Sequence, residues 1–365
     1  MRILLFSGGF TEYIIELANE LANISEDNMV MLVLPDRIRE EYKAQINNKV
    51  IFCPIHFIDY VSFRQNYKMT LALIKLINAF APDVFHVQAD GQHPWLGWVL
   101  PFIKKKCKII NTVHDPKPHI GDKISVYRDM QFSKWMFKKY ADAYIVHGKT
   151  LKVALVDGYK IKTDLVHIIP HGHLNMYRNF QKGAKKTENP FAVLFFGRIW
   201  EYKGLKYLMQ AEPIIRKEIP ELKIIIAGTG EDLYLYEPYL VNKDSYEFKN
   251  YRIPIEDVSD LFDEAAVVVL PYIEATQSGV IPIAYPFSKA VVATNVGALP
   301  EVVVDGLTGF LIPPANPEAI AEKIIYLLKN PDLRKEMGNN AQKYSDDNLN
   351  WKKIAHKTME VYKNA

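Results

Sequence analysis

Short runs rich in Val and Ile, each followed by a stretch with helical spacing, recur from one end of this chain to the other, and this alternation limits the available folds more than any other feature. The first series lies at Arg2–Phe6, Met29–Leu34, Val50–Cys53, Asp83–Val87, Lys108–Val113, Ala143–His147 and Val166–Ile169. A second follows at Ala192–Gly197, Leu222–Ala227, Ala266–Leu270, Ala290–Thr294 and Gly309–Ile312. The runs show little polar alternation. Strands buried on both faces read this way, which predicts parallel sheets covered by helices. Asn316-Pro317-Glu318 puts a cap residue ahead of Pro at a first helical position, and Asn330-Pro331-Asp332 repeats the device.

At 365 residues the chain is too long for one ordinary core, so two domains are expected. The polar segment from Arg178 to Pro190 has no apolar period and ends just before a new strand. It divides the chain into a first Rossmann-like domain, 1–180, and a second, 181–349. The expected fold class is α/β, with two parallel sheets facing across a cleft. Ligands of such sheets bind beyond the carboxyl ends of the strands, so chemistry is sought just after each strand.

Composition narrows the setting. Cys53 and Cys107 give neither a disulfide framework nor zinc spacing and fit a reducing compartment. Met1 to Phe6 runs straight into a strand, without the apolar core and cleavage site of a signal peptide. The longest apolar run, Pro94 to Ile103, is about half a membrane span. A cytoplasmic location is expected. Residues 1–180 carry 23 Lys/Arg against 17 Asp/Glu, while the rest carries 22 against 25. Two readings of the basic first half stand: an anionic partner such as a lipid surface or phosphorylated acceptor, or ordinary surface variation.

Three strand ends carry candidate chemistry. Ala192–Phe196 leads into Gly197-Arg198, with Lys203-Gly204 five residues on. Two cations there, with helix N-terminal amides, suit one anion, such as a leaving diphosphate. Leu222–Ala227 leads into Gly228-Thr-Gly230, either a loop that approaches a ligand closely or a plain turn. Leu270 leads into Glu274-Ala275-Thr-Gln277-Ser278-Gly279-Val280, where backbone N–H groups could cradle a phosphate at a helix start. Pro282 fits the first turn of that helix, and Pro286 should shorten it.

Taken together, Gly197-Arg198-x4-Lys203-Gly204, Ile-Ile-Ala-Gly-Thr-Gly, Val-Val-Ala-Thr-Asn-Val-Gly-Ala-Leu-Pro-Glu and Asp-Gly-x-Thr-Gly-Phe-Leu resemble the retaining glycosyltransferases of family four, which have the GT-B fold. Order and spacing match over nearly all of 190–315. The first half is similar at Ser7-Gly8-Gly9, at Pro82-Asp83-Val84-Phe85-His86 and at Thr112-Val-His114-Asp115. The closing segment 350–365 resembles the helix that crosses back onto the first domain. The resemblance implies that Arg198 and Lys203 hold the donor diphosphate, that Gly9 faces it, and that the backbone near Arg252 lies by the base. It implies that His114 sits by the transferred sugar with Asp115 beside it. His86 reads as a core or wall histidine.

The chain departs from the family at one point. The usual pair of Glu residues falls at Ala275 and Ile283, neither acidic. A subset with Ala-Thr-Gln-Ser-Gly-Val in the loop looks like this, and there Gln277 and Ser278 would supply the lost contacts, with Glu274 a second candidate. No Asp-x-Asp occurs, so no metal and no other cofactor is expected. His171-Gly-His173 reads as a turn more readily than as a metal site. Retaining transfer of a hexose from a nucleoside diphosphate sugar to a glycan or lipid-linked acceptor is the leading expectation. A sugar-nucleotide epimerase and a non-catalytic scaffold subunit are the alternatives, and no nucleic-acid partner is expected.

Basic and aromatic residues interleave twice in the first half. Lys104-Lys105-Lys106-Cys107-Lys108 follows Trp95, Trp98 and Phe102. Residues 125–140 set Arg128, Lys134, Lys138 and Lys139 among Phe132, Trp135, Met136 and Phe137. Either the rings enter an anionic membrane interface, or they are core with a solvated basic rim.

Overall fold

The computed structural model describes residues 1–56, 63–88, 94–116 and 124–365, with side chains at all of these except 94 and 124–130. Arg128 therefore lies outside the described side chains. The chain forms two compact units: the residues up to Gly172 together with Asn350–Ala365, and His173–Leu349.

In the first unit β1 (Arg2–Phe6), α1 (Thr11–Ile24), β2 (Met29–Pro35), α2 (Glu40–Lys43), β3 (Val50–Ile55), α3 (Phe63–Phe80) and β4 (Val84–Val87) come first. Next come α4 (Pro94–Ile103), β5 (Lys108–Thr112), α5 (Ile124–Tyr140), β6 (Ala143–Val146), α6 (Lys149–Tyr159) and β7 (Val166–Ile168). The sheet runs β3-β2-β1-β4-β5-β6-β7 with parallel pairings. Because strand side chains alternate, β1 divides its residues between two cores. Ile3 and Leu5 join a layer containing residues of α1. Leu4 and Phe6 join a layer containing residues of α3, α4 and α5.

The second unit contains β8 (Ala192–Phe196), α7 (Leu205–Glu218), β9 (Lys223–Ala227), β10 (Tyr246–Lys249), α8 (Ile255–Glu264) and β11 (Val267–Leu270). Then follow α9 (Ile281–Ala284), β12 (Ala290–Thr294), β13 (Gly309–Ile312), α10 (Pro317–Lys329) and α11 (Pro331–Asn348). Its sheet runs β10-β9-β8-β11-β12-β13, again parallel. The last helix, α12 (Trp351–Asn364), packs on α1 of the first unit, and Trp351, Ile354 and Tyr362 enter that core. Strand order reverses at β1/β4 and at β8/β11, where α/β sheets open a crevice for ligands.

Three expectations need correction. The units divide at Gly172, not at 180. Residues 173–180 are apolar enough to dock: Met176, Tyr177 and Phe180 are buried, the Leu174 N–H donates to Pro282, and Arg178 donates to the Pro286 carbonyl while lying over the Phe287 ring. The sequence reading has no strand at β10, a short edge strand whose Tyr-Glu-Phe-Lys is only partly buried. Asn316 accepts from the Ala319 N–H as predicted, but Asn330 does not cap α11; its amide donates to the Tyr326 carbonyl.

Candidate active site

The carboxyl end of β8 is shaped by glycines. Gly197 has φ 114°, Gly228 after β9 has φ 150°, and a side chain on Gly228 would meet the Gly197 carbonyl at 1.7 Å. What Gly228 approaches is thus the neighbouring loop. The Ile199 N–H donates to Thr229, and the Glu231 N–H donates back to Ile199. Between these ties Arg198 is left exposed. Gly204, at φ 68°, lies so close to Pro271 that a Cβ would fall 1.9 Å from its carbonyl oxygen. That approach brings the loop after β8 against the loop after β11.

Tyr202 and Tyr272 organise the cations. Arg198 Nη2 donates to the Tyr202 hydroxyl at 3.0 Å. Lys203 is buried, its Nζ 5.0 Å from the Tyr202 centroid and 3.7 Å from that of Tyr272. Both cations therefore lie against one ring. Tyr272 is fully buried and its hydroxyl lies 3.2 Å from Ser278 Oγ. Burial pushes that hydroxyl up to about 12, against the opposing pull of Ser278 and the Arg198 charge, so it stays protonated. Sequence reasoning passed over Tyr272. An aromatic one residue beyond the Pro that ends a strand, in a unit with a buried Lys, is the signal that could have found it.

In the loop after β11 one of the amides at the helix start is already used. Ser278 Oγ accepts from the Val280 N–H at 3.1 Å, so this amide is already bonded within the loop. The helix it leads into, α9, has four residues. Gly279 is exposed with open space about it, whereas Val280 is buried within reach of Gly197. Gln277 and Glu274 are half-buried. The Ala275 carbonyl packs on Gly297, and Ile283 is buried in α9. Arg252 is exposed, three residues after β10.

In the first unit Ser7 follows β1 and is fully buried; its hydroxyl donates to the Gln88 carbonyl at 3.0 Å and accepts from the Gly9 N–H. Gly9 has open space where a side chain would be. Phe10 adopts φ 52° and stacks on His114 with ring centroids 3.8 Å apart. His114, fully buried two residues after β5, places Nδ1 3.0 Å from His147 Nε2. His147 Nδ1 is in turn 3.0 Å from the Ile169 carbonyl. Tyr13 lies edge-on to His114, His171 and Trp351 and tilted against His147. Asp115 is half-buried, and its charge opposes the burial that lowers His147. His86 is a core residue, 2.5 Å from the Tyr362 hydroxyl and 2.7 Å from that of Thr112.

His147 and His171 were not singled out as site residues. His114, His147 and His171 each follow one of three adjacent parallel strands by one to three residues, and that repetition was the readable signal. Among the described residues no three His, Cys, Asp or Glu side chains are grouped to hold a metal ion.

The large apolar residues of the basic half separate. Trp95, Met136 and Phe137 are core. Phe63, Phe102 and Trp135 are 76%, 61% and 56% exposed. Ring contacts link Phe63 to Trp98, Trp98 to Phe132 and Phe132 to Trp135 at 5.4, 6.4 and 6.3 Å. The lysine run is less free than expected. Lys104 bonds Asp142, Lys106 bonds Asn78, and Lys108 bonds the carbonyls of Tyr362 and Lys363. Among the described residues no helix is long and apolar enough to cross a membrane. A groove of about 690 Å³ in the second unit is lined by Phe310, Tyr326 and Lys323, among others, and none of the candidate site residues lines it.

The family model of Glycosyltransferase Family 4 matches residues 7–173, and that of Glycosyl transferases group 1 matches 190–330. The chain belongs to the GT-B glycosyltransferases. This glycosyltransferase is 27% identical over 287 residues to an uncharacterized glycosyltransferase of Methanocaldococcus jannaschii, covering 73% of this chain and 71% of the relative. It is 31% identical over 303 residues to the D-inositol 3-phosphate glycosyltransferase of Streptomyces scabiei, covering 76% and 66%. Among solved structures it resembles Anabaena HepE in complex with UDP-glucose, with a TM-score of 0.76 at 16% identity over 100% of this chain and 99% of that one. The likeness in fold agrees with the two parallel sheets found here.

Proposed function

We propose that this glycosyltransferase moves a hexose from a nucleoside diphosphate sugar, with retention at the anomeric carbon, to a hydroxyl of a glycan or lipid-linked acceptor. The observation that carries the reading is the pair Arg198 and Lys203 flanking Tyr202 at the strand-order reversal of the second sheet. Fixed cations there stabilise the charge that develops on a leaving diphosphate, and need no metal ion to do so. UDP-glucose in the similar HepE structure makes a uridine nucleotide sugar the first donor to try. Gln277 and Ser278 take over donor contacts where the acidic pair is absent, Glu274 is the second candidate, and the backbones of Gly228, Gly279 and Val280 border the diphosphate. Arg252 borders the base. In the first unit Gly9 approaches the diphosphate and His114 the sugar, with Asp115 beside it. In keeping with the family resemblance, the acceptor hydroxyl attacks on the face that the diphosphate leaves, passing its proton to a diphosphate oxygen.

The exposed rings of Phe63, Phe102 and Trp135, with Lys105, Lys138 and Lys139 on the same helices and their ends, favour an acceptor presented at an anionic membrane surface. The test of the donor reading is turnover across UDP-, GDP-, ADP- and dTDP-sugars. Slow release of free sugar supports it. An altered sugar supports the epimerase instead, and binding without turnover a scaffold.

A further inference from the structure

We infer that His147 is a positioning residue: it fixes His114 as the Nδ1–H tautomer and so presents the His114 Nε2 lone pair as an acceptor for a hydroxyl of the transferred sugar. The role toward the sugar rests on the placement of His114 proposed above; the tautomer does not.

The bonds run in one direction only. A carbonyl oxygen accepts and cannot donate, so the 3.0 Å contact between His147 Nδ1 and Ile169 needs a proton on that nitrogen. A neutral imidazole carries one N–H, which leaves His147 Nε2 as an acceptor. It lies 3.0 Å from His114 Nδ1, which must therefore be the donor. His114 then keeps its lone pair on Nε2.

The derivation needs both rings neutral, and their surroundings provide this. Both are buried, and burial holds His147 down to about 4. Burial, together with His147, His171 and His86, holds His114 well below its ordinary value. The rings packed about the pair are Phe10 and Tyr13 at the start of α1 and His171 after β7, with Trp351 at the start of α12 against Tyr13. Of the charges noted, Asp115 alone favours a cation at His147, and its effect is smaller than that of burial. His171 follows the same rule separately, its Nδ1 lying 2.7 Å from the Gly172 carbonyl.

An acceptor at Nε2 gives a hydroxyl-bearing sugar an advantage over its deoxy analogue, which has no proton to donate there. The test compares His147→Phe with His147→Gln. Phe fills the ring volume and makes neither bond. Gln can restore both, its Nε2 donating to Ile169 and its Oε1 accepting from His114. The full chain is labelled with ¹⁵N-histidine, and long-range proton–nitrogen spectra report which ring nitrogen of His114 is protonated, from neutral pH down to about pH 5. We expect Nδ1–H in the native chain and in His147→Gln, and loss of that preference in His147→Phe. Turnover kcat/KM should fall about tenfold in His147→Phe and stay within about threefold of native in His147→Gln. A native His114 protonated on Nε2 overturns the inference, as does an unchanged tautomer in His147→Phe. Equal loss of turnover in the two variants overturns the role toward the sugar. The spectrum needs no substrate, so an Nδ1–H His114 in a chain inert toward every nucleotide sugar would sink the proposed function and leave the tautomer standing.

Discussion

The Lys203 ammonium sits 3.7 Å from the centroid of the Tyr272 ring, and that ring is itself fully buried. A cation over a desolvated aromatic face is held by up to about 2 kcal/mol, so Tyr272 aims Lys203 as well as packing beneath it. Replacing Tyr272 by Leu should lower kcat/KM about tenfold. Tyr272→Phe, which keeps the face and loses only the contact with Ser278, should stay within about threefold of native. Equal losses in the two variants would mean that the ring does not orient the cation.

Arg198→Ala and Lys203→Ala should each weaken transition-state binding by about 2–4 kcal/mol, read as kcat/KM for a nucleotide sugar. Their stabilities should differ. Arg198 is exposed and its loss should leave Tm unchanged, whereas Lys203 is buried between two tyrosines and its loss should lower Tm. Near-normal rates in both variants would remove the phosphate clamp.

Gln277→Ala and Ser278→Ala should raise the donor KM severalfold with smaller effects on kcat, since each is assigned a binding contact. Glu274→Ala separates the second candidate; unchanged kinetics would make it a surface residue. Native KM values in all three variants would take this loop out of the donor site.

Glu188 ties two buried cations, 2.8 Å from Lys289 Nζ and 2.9 Å from Arg334 Nη2. Burial works to raise its carboxyl, but the bonds and charges of Lys289 and Arg334 prevail and hold it below the usual carboxylate value. Its contribution is therefore present above about pH 4.3 and is lost as pH falls through the lower native value. Glu188→Gln should cost roughly 3 kcal/mol at neutral pH, since the carboxylate is 31% exposed and the cations are nearly buried. Denaturant titrations at neutral and acid pH should show the gap from native narrowing in acid. A gap that stays constant would contradict the assignment.

Vesicles test the proposed acceptor surface. Binding to anionic vesicles should exceed binding to neutral ones and weaken with salt. Phe102→Ser with Trp135→Ser should abolish it, and Lys105→Glu with Lys139→Glu should weaken it, with donor KM unchanged. Lys104 and Lys106 are poorer choices than the sequence suggests, because both already bond neighbours. Failure to bind anionic vesicles at low salt would leave an acceptor free in solution as the reading.

The long apolar strands were legible because both of their faces are covered, which removes polar alternation and leaves runs such as Lys223–Ala227 unmistakable. The edge strand β10 was not legible, since Tyr246 to Lys249 pairs on one side only and mixes charge with aromatics. Arg198 and Lys203 could be read from their position after a strand, but not the rings that hold them, because Tyr272 is 69 residues from Lys203 and only the sheet order joins them. The domain boundary was misplaced for a related reason. The polar stretch from Arg178 to Pro190 reads as the linker, but residues 173–180 before it already belong to the second unit, with Met176, Tyr177 and Phe180 buried.

The return of α12 to the first sheet bears on how a ribosome-bound chain acquires this structure. Nascent domains generally fold in the order in which they emerge. Here the layer over Ile3, Leu5 and Ile110 also needs Trp351, Ile354 and Tyr362. His173–Leu349, by contrast, has all its strands in place before α12 is synthesised. The unit that emerges second is thus the one that can finish first. Until residue 362 is free, the first unit waits with an open apolar flank, a binding site for chaperones and a risk of aggregation.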